Sequence, residues 1–157
     1  MTLTEVMIVM ALATLVMLGI VGFYMSSQAV WMEGSSQAIT QRDATLLVAA
    51  ITDSVRRAAK AVVVDYPDTQ HQALYLYADR NATTEPFRCF YWREGDSRVY
   101  SGSDQPRGTD PPVVTSAVSR FQLGTRDSTM VLMNLIELPT SKGQPVRLVS
   151  AAALYNR

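Results

Sequence analysis

Between Val6 and Trp31 no side chain carries a charge. The stretch as far as Tyr24 is about 19 residues long, close to the ~20 apolar residues with which a helix crosses the hydrocarbon core of a bilayer. A helix lying on a soluble core shows a polar stripe, whereas this one is apolar on every side. With 157 residues in all, the chain has room for one modest domain and an extension. The run therefore divides it into a lipid-like part, residues 1–30, and a water-like part, residues 31–157. It does not read as a cleaved secretory signal: no basic region precedes it, and Ser26-Ser27-Gln28-Ala29 is a poor small-x-small site.

Glu5 stands at the mouth of this run with no Lys or Arg near it in sequence. A carboxylate at membrane depth is costly and normally has a partner. Two readings stay open on the residues alone. In one, the α-amino group of Met1, or that of a neighbouring chain, supplies the cation. In the other, Glu5 lies at the headgroup level. Gly19 and Gly22 weaken a helix by about 1 kcal/mol each relative to Ala without breaking it. They read either as close-packing points between apolar helices or as a local stretch point.

No proline occurs before Pro67, so the helix is expected to continue to about Ala61, roughly 85–90 Å at 1.5 Å per residue. From Leu46 onward it turns amphipathic. Leu47, Ile51, Val55 (with Ser54), Ala58 and Val62 recur at three- and four-residue spacing, and Arg42, Asp43, Thr45, Thr52, Asp53, Arg56, Arg57 and Lys60 fill the polar side. Arg56, Arg57 and Lys60 read as a solvated face near a helix C-terminus. Strand signals follow at Val62–Val64, Ala73–Tyr77, Phe87–Arg93 with Arg98–Tyr100 across a turn at Glu94–Ser97, the stretch ending at Leu123, Thr129–Leu138, and Val146–Tyr155. A helix first and then consecutive strands predicts an α+β fold: a long N-terminal helix, half membrane-embedded and half amphipathic, packed on an antiparallel β-sheet head. Ser101–Pro112, rich in Gly, Pro, Ser and Asp, is expected to be a surface loop.

The opening Met1-Thr2-Leu3-Thr4-Glu5, leading directly into Val6-Met7-Ile8-Val9-Met10-Ala11-Leu12-Ala13, resembles the class III signal region of type IV pilins and type II secretion pseudopilins. That family is similar to Phe-Thr-Leu-x-Glu followed by an apolar stretch. Thr2, Leu3 and Glu5 fall in register, and Met1 departs from the usual Phe. The resemblance implies a leader removed by a prepilin peptidase, methylation of the new N-terminus at Met1, and insertion in the inner membrane with the head in the periplasm. It further implies assembly, through an inner-membrane platform, into an extracellular pilus or a periplasmic pseudopilus. Glu5 would neutralise a neighbouring subunit's N-terminal amine and Thr2 would support that contact. Leu3, Val6, Ile8, Val9, Leu12, Leu15, Val16, Gly19 and Gly22 would face other stalks in the filament core. More loosely, Gln41–Leu47, Asp53–Ala58, Val114–Phe121 and a closing strand ending at Tyr155-Asn156-Arg157 look like W-type minor pilins and J-type pseudopilins. Those subunits sit near a filament tip and help start assembly. A major subunit of a homopolymeric pilus is the alternative within the family.

Catalysis is not expected. The lone histidine, His71, sits between glutamines, no glycine-rich phosphate loop occurs, and the single Cys89 permits no intramolecular disulfide. Cys89 reads as a small buried hydrophobe. No cofactor or metal is implied, since Asp104 and Asp110 do not have the spacing of a calcium loop. With 14 basic and 14 acidic side chains, nucleic acid is not an expected partner, because its binding surfaces show a basic excess. A separate class of reading, a tip-exposed adhesion or DNA-uptake module, would use Phe87, Tyr91 and Trp92 together with Asp104 and Asp110 as a partner surface. Core packing is the competing account of the aromatics. A single-pass protein that never polymerises is the third reading.

Overall fold

A computed structural model describes residues 2–65, 72–81, 85–93, 95–103, 106–107, 109–126, 130–140 and 144–154. The chain is α+β: one N-terminal helix, α1 (Leu3–Arg57), followed by seven strands. These are β1 (Lys60–Asp65), β2 (Gln72–Tyr77), β3 (Arg88–Arg93), β4 (Arg98–Gly102), β5 (Arg120–Arg126), β6 (Met130–Leu138) and β7 (Val146–Ala153). All pairing is antiparallel and runs between sequence neighbours. The strands form two sheets, β1-β2-β3-β4 and β5-β6-β7, where the sequence suggested one.

At 55 residues, α1 is about 82 Å long. Its buried positions are Thr40, Asp43, Ala44, Leu47, Ile51, Ser54 and Val55, the three- and four-residue spacing of one face seated on a core. Asp43 corrects the sequence reading, which put it on the solvated side. The helix also stops earlier than expected. Ala58, Ala59, Lys60 and Ala61 are good helix formers, but Ala59 N–H already donates to Tyr77 O at 2.9 Å and Lys60 pairs with Tyr77. Ladder formation with β2 overrides local propensity, and Val62 belongs to β1 and not to the helix stripe.

One hydrophobic core joins the three layers. Leu47, Ile51 and Val55 of α1 meet Leu74, Leu76, Phe90 and Val99 of the first sheet, and Phe121, Leu123, Val131, Met133 and Ile136 of the second. The helix packs chiefly on β7 and β6, while β1 and β2 border β5. Gln72 locks the two sheets together: its side-chain oxygen accepts the Leu123 N–H, and its amide donates to Asp65 Oδ1 at 2.6 Å. Phe121 is fully buried where the layers converge, so Phe121→Ala is expected to destabilise the head by about 3–5 kcal/mol. Urea unfolding checks this as a fall in midpoint at constant slope.

The last part of the connection from β4 to β5, residues 113–119, is pinned to the strands. Val113 N–H donates to Val99 O at 2.9 Å, Val118 N–H to Ser97 O at 2.6 Å, and Ser119 N–H to Glu137 O at 2.8 Å. Val114 and Val118 are buried beneath it. The β3–β4 turn places Ser97 at φ 53°, a left-handed conformation that a non-glycine residue adopts only when its surroundings hold it there.

Candidate functional site: an uncovered apolar stalk

The described helix before Thr40 is exposed apart from a half-buried Ser36. Leu3, Val6, Ile8, Val9, Leu12, Leu15 and Val16 are all exposed, from 40% at Val6 to 82% at Leu3. The exposure goes all the way round and continues through Phe23, Val30 and Trp31. A helix that is apolar on every face and buried on none has the surface of a lipid-facing segment. It is long and apolar enough to cross a membrane. Gly19 and Gly22 have open space where a side chain would go, which leaves room for a neighbouring helix to approach.

Several polar side chains of this half bond within the helix. Thr14 Oγ1 donates to Met10 O at 2.8 Å, Ser26 Oγ to Phe23 O at 2.9 Å, and Ser35 Oγ to Met32 O at 3.0 Å. Gln28 Nε2 donates to Tyr24 Oη at 2.8 Å. Such internal bonds suit a segment in hydrocarbon, where an unsatisfied polar group costs several kcal/mol.

Thr2 is the N-cap of α1, with extended backbone angles. Glu5, at the third helical position, turns back to accept the Thr2 N–H at 2.8 Å, the acidic half of a capping box. The helix dipole also favours a carboxylate in this first turn. Glu5 therefore has a local partner that the sequence reading overlooked; the signal was the Thr-x-x-Glu spacing of Thr2 and Glu5. A carboxylate accepts more than one hydrogen bond, so capping leaves capacity for a cation. Met1 lies outside the described residues.

Of the residues suggested as a partner surface on the head, Tyr91 and Trp92 are turned into the fold. Tyr91 is buried, 5% exposed, and this corrects its assignment to a surface. Its hydroxyl lies 2.7 Å from Arg107 O and 2.9 Å from Asp110 Oδ2, which also accepts the Arg107 N–H at 2.8 Å. Burial first, and then the Asp110 carboxylate, push the phenol well above its ordinary range. Asp110 is thus spent on bracing the loop. Trp92 is half-buried against the core, with Nε1 donating to Val118 O at 2.9 Å. Phe87 stays exposed at 37%. Asp104 and His71 lie outside the described residues. Tyr91 stacks on Tyr100 with ring centres 5.7 Å apart, and Arg93 lies 3.8 Å over the Tyr100 ring. Tyr91, Tyr100 and Trp92 thus pack the head together.

Cys89 is fully buried in a small cluster with Ala73, Tyr91 and Tyr100. Among the described residues no group of three His, Cys, Asp or Glu side chains is placed to hold a metal ion. Arg57 pairs with Asp53 at 2.9 Å on the solvated side of α1.

A latch centred on the buried Asp43 joins stalk to head. Asp43 Oδ2 accepts from Thr115 Oγ1 at 2.8 Å, Ser116 N–H at 2.9 Å and Ser116 Oγ at 2.7 Å. Burial alone would raise this carboxyl. The bonds from Ser116 and Thr115 outweigh it and hold the group below its ordinary value.

No family model, no curated protein and no solved structure matches this chain.

Proposed function

We propose that this chain is a filament subunit of the type IV pilin and type II pseudopilin kind, most like a W-type minor pilin or J-type pseudopilin placed at or near a tip. One observation carries the reading: an all-round apolar, wholly exposed half-helix runs without a break into a half-helix seated on a packed head. Lipid would cover the stalk before assembly, and the stalks of other subunits afterwards. Exchanging lipid for apolar helices brings little hydrophobic gain, so packing and polar contacts must drive association. Glu5 supplies the polar contact, drawing the stalk toward the N-terminal ammonium of a subunit already in place.

Two substitutions separate this role from capping. Glu5→Ala removes both the charge and the bond to Thr2; Glu5→Gln keeps an acceptor for the Thr2 N–H and removes only the charge. Both variants are expected to stay in the membrane fraction and to fall about tenfold or more in sheared filaments, a loss of ~1.4 kcal/mol or more in assembly. Quantitative mass spectrometry of filaments against membranes reads both. Normal incorporation of Glu5→Gln would reduce Glu5 to a helix cap, and normal incorporation of Glu5→Ala would sink the assembly role. The same measurement counts this chain against other subunits: a trace amount supports the tip assignment and dominance overturns it.

A further inference from the structure

The depth of a membrane span is set by what anchors its ends, charged side chains, Trp and Tyr at the two headgroup layers. The uncharged run from Val6 to Trp31 has 26 residues, about 39 Å of helix, against a hydrocarbon core of about 30 Å. It is too long by roughly 9 Å, so part of it lies outside the core and the anchors decide which part. On the head's side of the run no basic residue occurs before Arg42, about 16 Å of helix beyond Trp31. Lys and Arg therefore do not hold this end. The side chains there with an apolar body and a polar tip are Tyr24 and Trp31, seven positions apart and so on one face.

Three observations favour Trp31. With Tyr24 at the boundary, Met25, Val30 and Trp31, exposed at 68%, 71% and 76%, would lie in or beyond the headgroups. With Trp31 there, they meet hydrocarbon or its edge. Next, Gln28 Nε2 donates to the Tyr24 hydroxyl at 2.8 Å, so this pair enters the lipid edge already bonded. Trp31 lines a shallow groove of about 310 Å³ with Tyr24, Ser27 and Gln28. Side chains of a helix lean toward its N-terminus, so the indole reaches back toward the core. The other end of the span agrees. Glu5 lies 26 positions from Trp31, about 39 Å, just within the 40–45 Å of a bilayer with its headgroups. Trp31 in one headgroup layer puts Glu5 in the other, outside the hydrocarbon where a carboxylate is costly.

We propose that Trp31 is an interfacial anchor that sets the depth of the stalk. Its indole sits in the ester and glycerol layer of the leaflet on the head's side and donates its N–H to lipid oxygens. The hydrocarbon span is then about residues 8–28 in place of 6–24. This rests on the membrane reading above and goes beyond it in naming the depth and the residue that fixes it. The partner is a zwitterionic lipid surface. Anionic lipid is held by clustered Lys and Arg, and here the first charge past Trp31 is Glu33.

The test uses the full chain in phosphatidylcholine vesicles whose lipids carry bromine either near the ester or near the chain end. Trp31→Phe leaves Trp92 alone and supplies the background to subtract. Trp31 emission is expected to be quenched about threefold more by the shallow bromine than by the deep one. Introduced cysteines then read the span, since Cys89 is buried. Gly34→Cys is expected to react with a water-soluble maleimide about tenfold faster than Gln28→Cys. Adding Trp31→Ser is expected to speed the labelling of Gln28→Cys about threefold as the span slides. Quenching of Trp31 by aqueous iodide alone, equal labelling at both positions, or no effect of Trp31→Ser overturns the anchor. So does a need for anionic lipid. Protection of Gln28→Cys that disappears as lipid is added at fixed protein also overturns it, because a second stalk is then the cover. Vesicle flotation reads insertion separately. A chain that floats but fails at Trp31 loses the anchor alone, and one that does not float loses the membrane reading as well.

Discussion

Removing residues 1–31 is expected to turn a chain that requires detergent or lipid into a water-soluble monomer whose head melts within a degree or two of the full-length protein. Both halves of this result follow from where burial begins. No described residue before Thr40 is buried, so the deletion takes nothing out of the core that Leu47, Ile51 and Val55 build with the two sheets. The deleted part contains the ten Leu, Ile, Val and Phe residues between Val6 and Phe23. At 0.3–0.6 kcal/mol apiece on an insertion scale, these favour the membrane by about 3–6 kcal/mol. Exposed to water they form a patch far larger than monomeric soluble proteins display. Analytical ultracentrifugation and a thermal melt of the truncated chain, beside the full chain in detergent, decide the matter. A truncated head that aggregates or loses its cooperative transition would mean that the stalk is part of the head's core.

Replacing Asp43 has the larger consequence for the junction of stalk and head. Asp43→Ala removes three hydrogen bonds to a charged acceptor and leaves the Thr115 and Ser116 donors to find others. Bonds to charged groups contribute about 1.5–3 kcal/mol. Thr115 is exposed and able to turn to water, so the expected loss is about 2–3 kcal/mol. The same carboxylate gives a pH signature. Its pKa in the folded chain lies below the ordinary value of 3.8, so the stabilisation is complete above that value and is lost as pH falls through the lower, folded one. Urea midpoints measured downward from about pH 5 should therefore decline less steeply in Asp43→Ala than in the parent. Asp96, held low by the Tyr100 hydroxyl first and by Arg93 as well, contributes acid sensitivity to both chains and cancels in the comparison. Parallel declines would show that Asp43 does not titrate as argued.

Under the filament role proposed above, the loss at Asp43 would also bear on assembly. The latch ties α1 to the 113–119 segment, which is itself held to Ser97, Val99 and Glu137. Through it the angle of the stalk relative to the head is coupled to both sheets. In a filament built by packing stalks, that angle determines where neighbouring heads meet.

The residues of this chain determine by themselves the features that depend on near neighbours. The stalk is legible because a helix closes its hydrogen bonds at i to i−4 and a long uncharged, apolar stretch suits lipid or other apolar surfaces better than water. The capping spacing of Thr2 and Glu5, the four-residue turn between β3 and β4, and the strand segments are local patterns of the same kind. The helix end, the burial of Asp43, the covering of Tyr91 and the division into two sheets were decided only in the tertiary structure. Each depends on residues far apart in the chain. Ala58–Ala61 leave the helix because Lys60 and Ala61 pair with Tyr77 and Leu76. Asp43 turns inward because donors 72 and 73 residues later meet it. Tyr91 is covered because the loop brings Arg107 and Asp110 back over it. Periodicity records which face of an element is buried but not what buries it, and a polar residue on that face is placed only when its partner arrives.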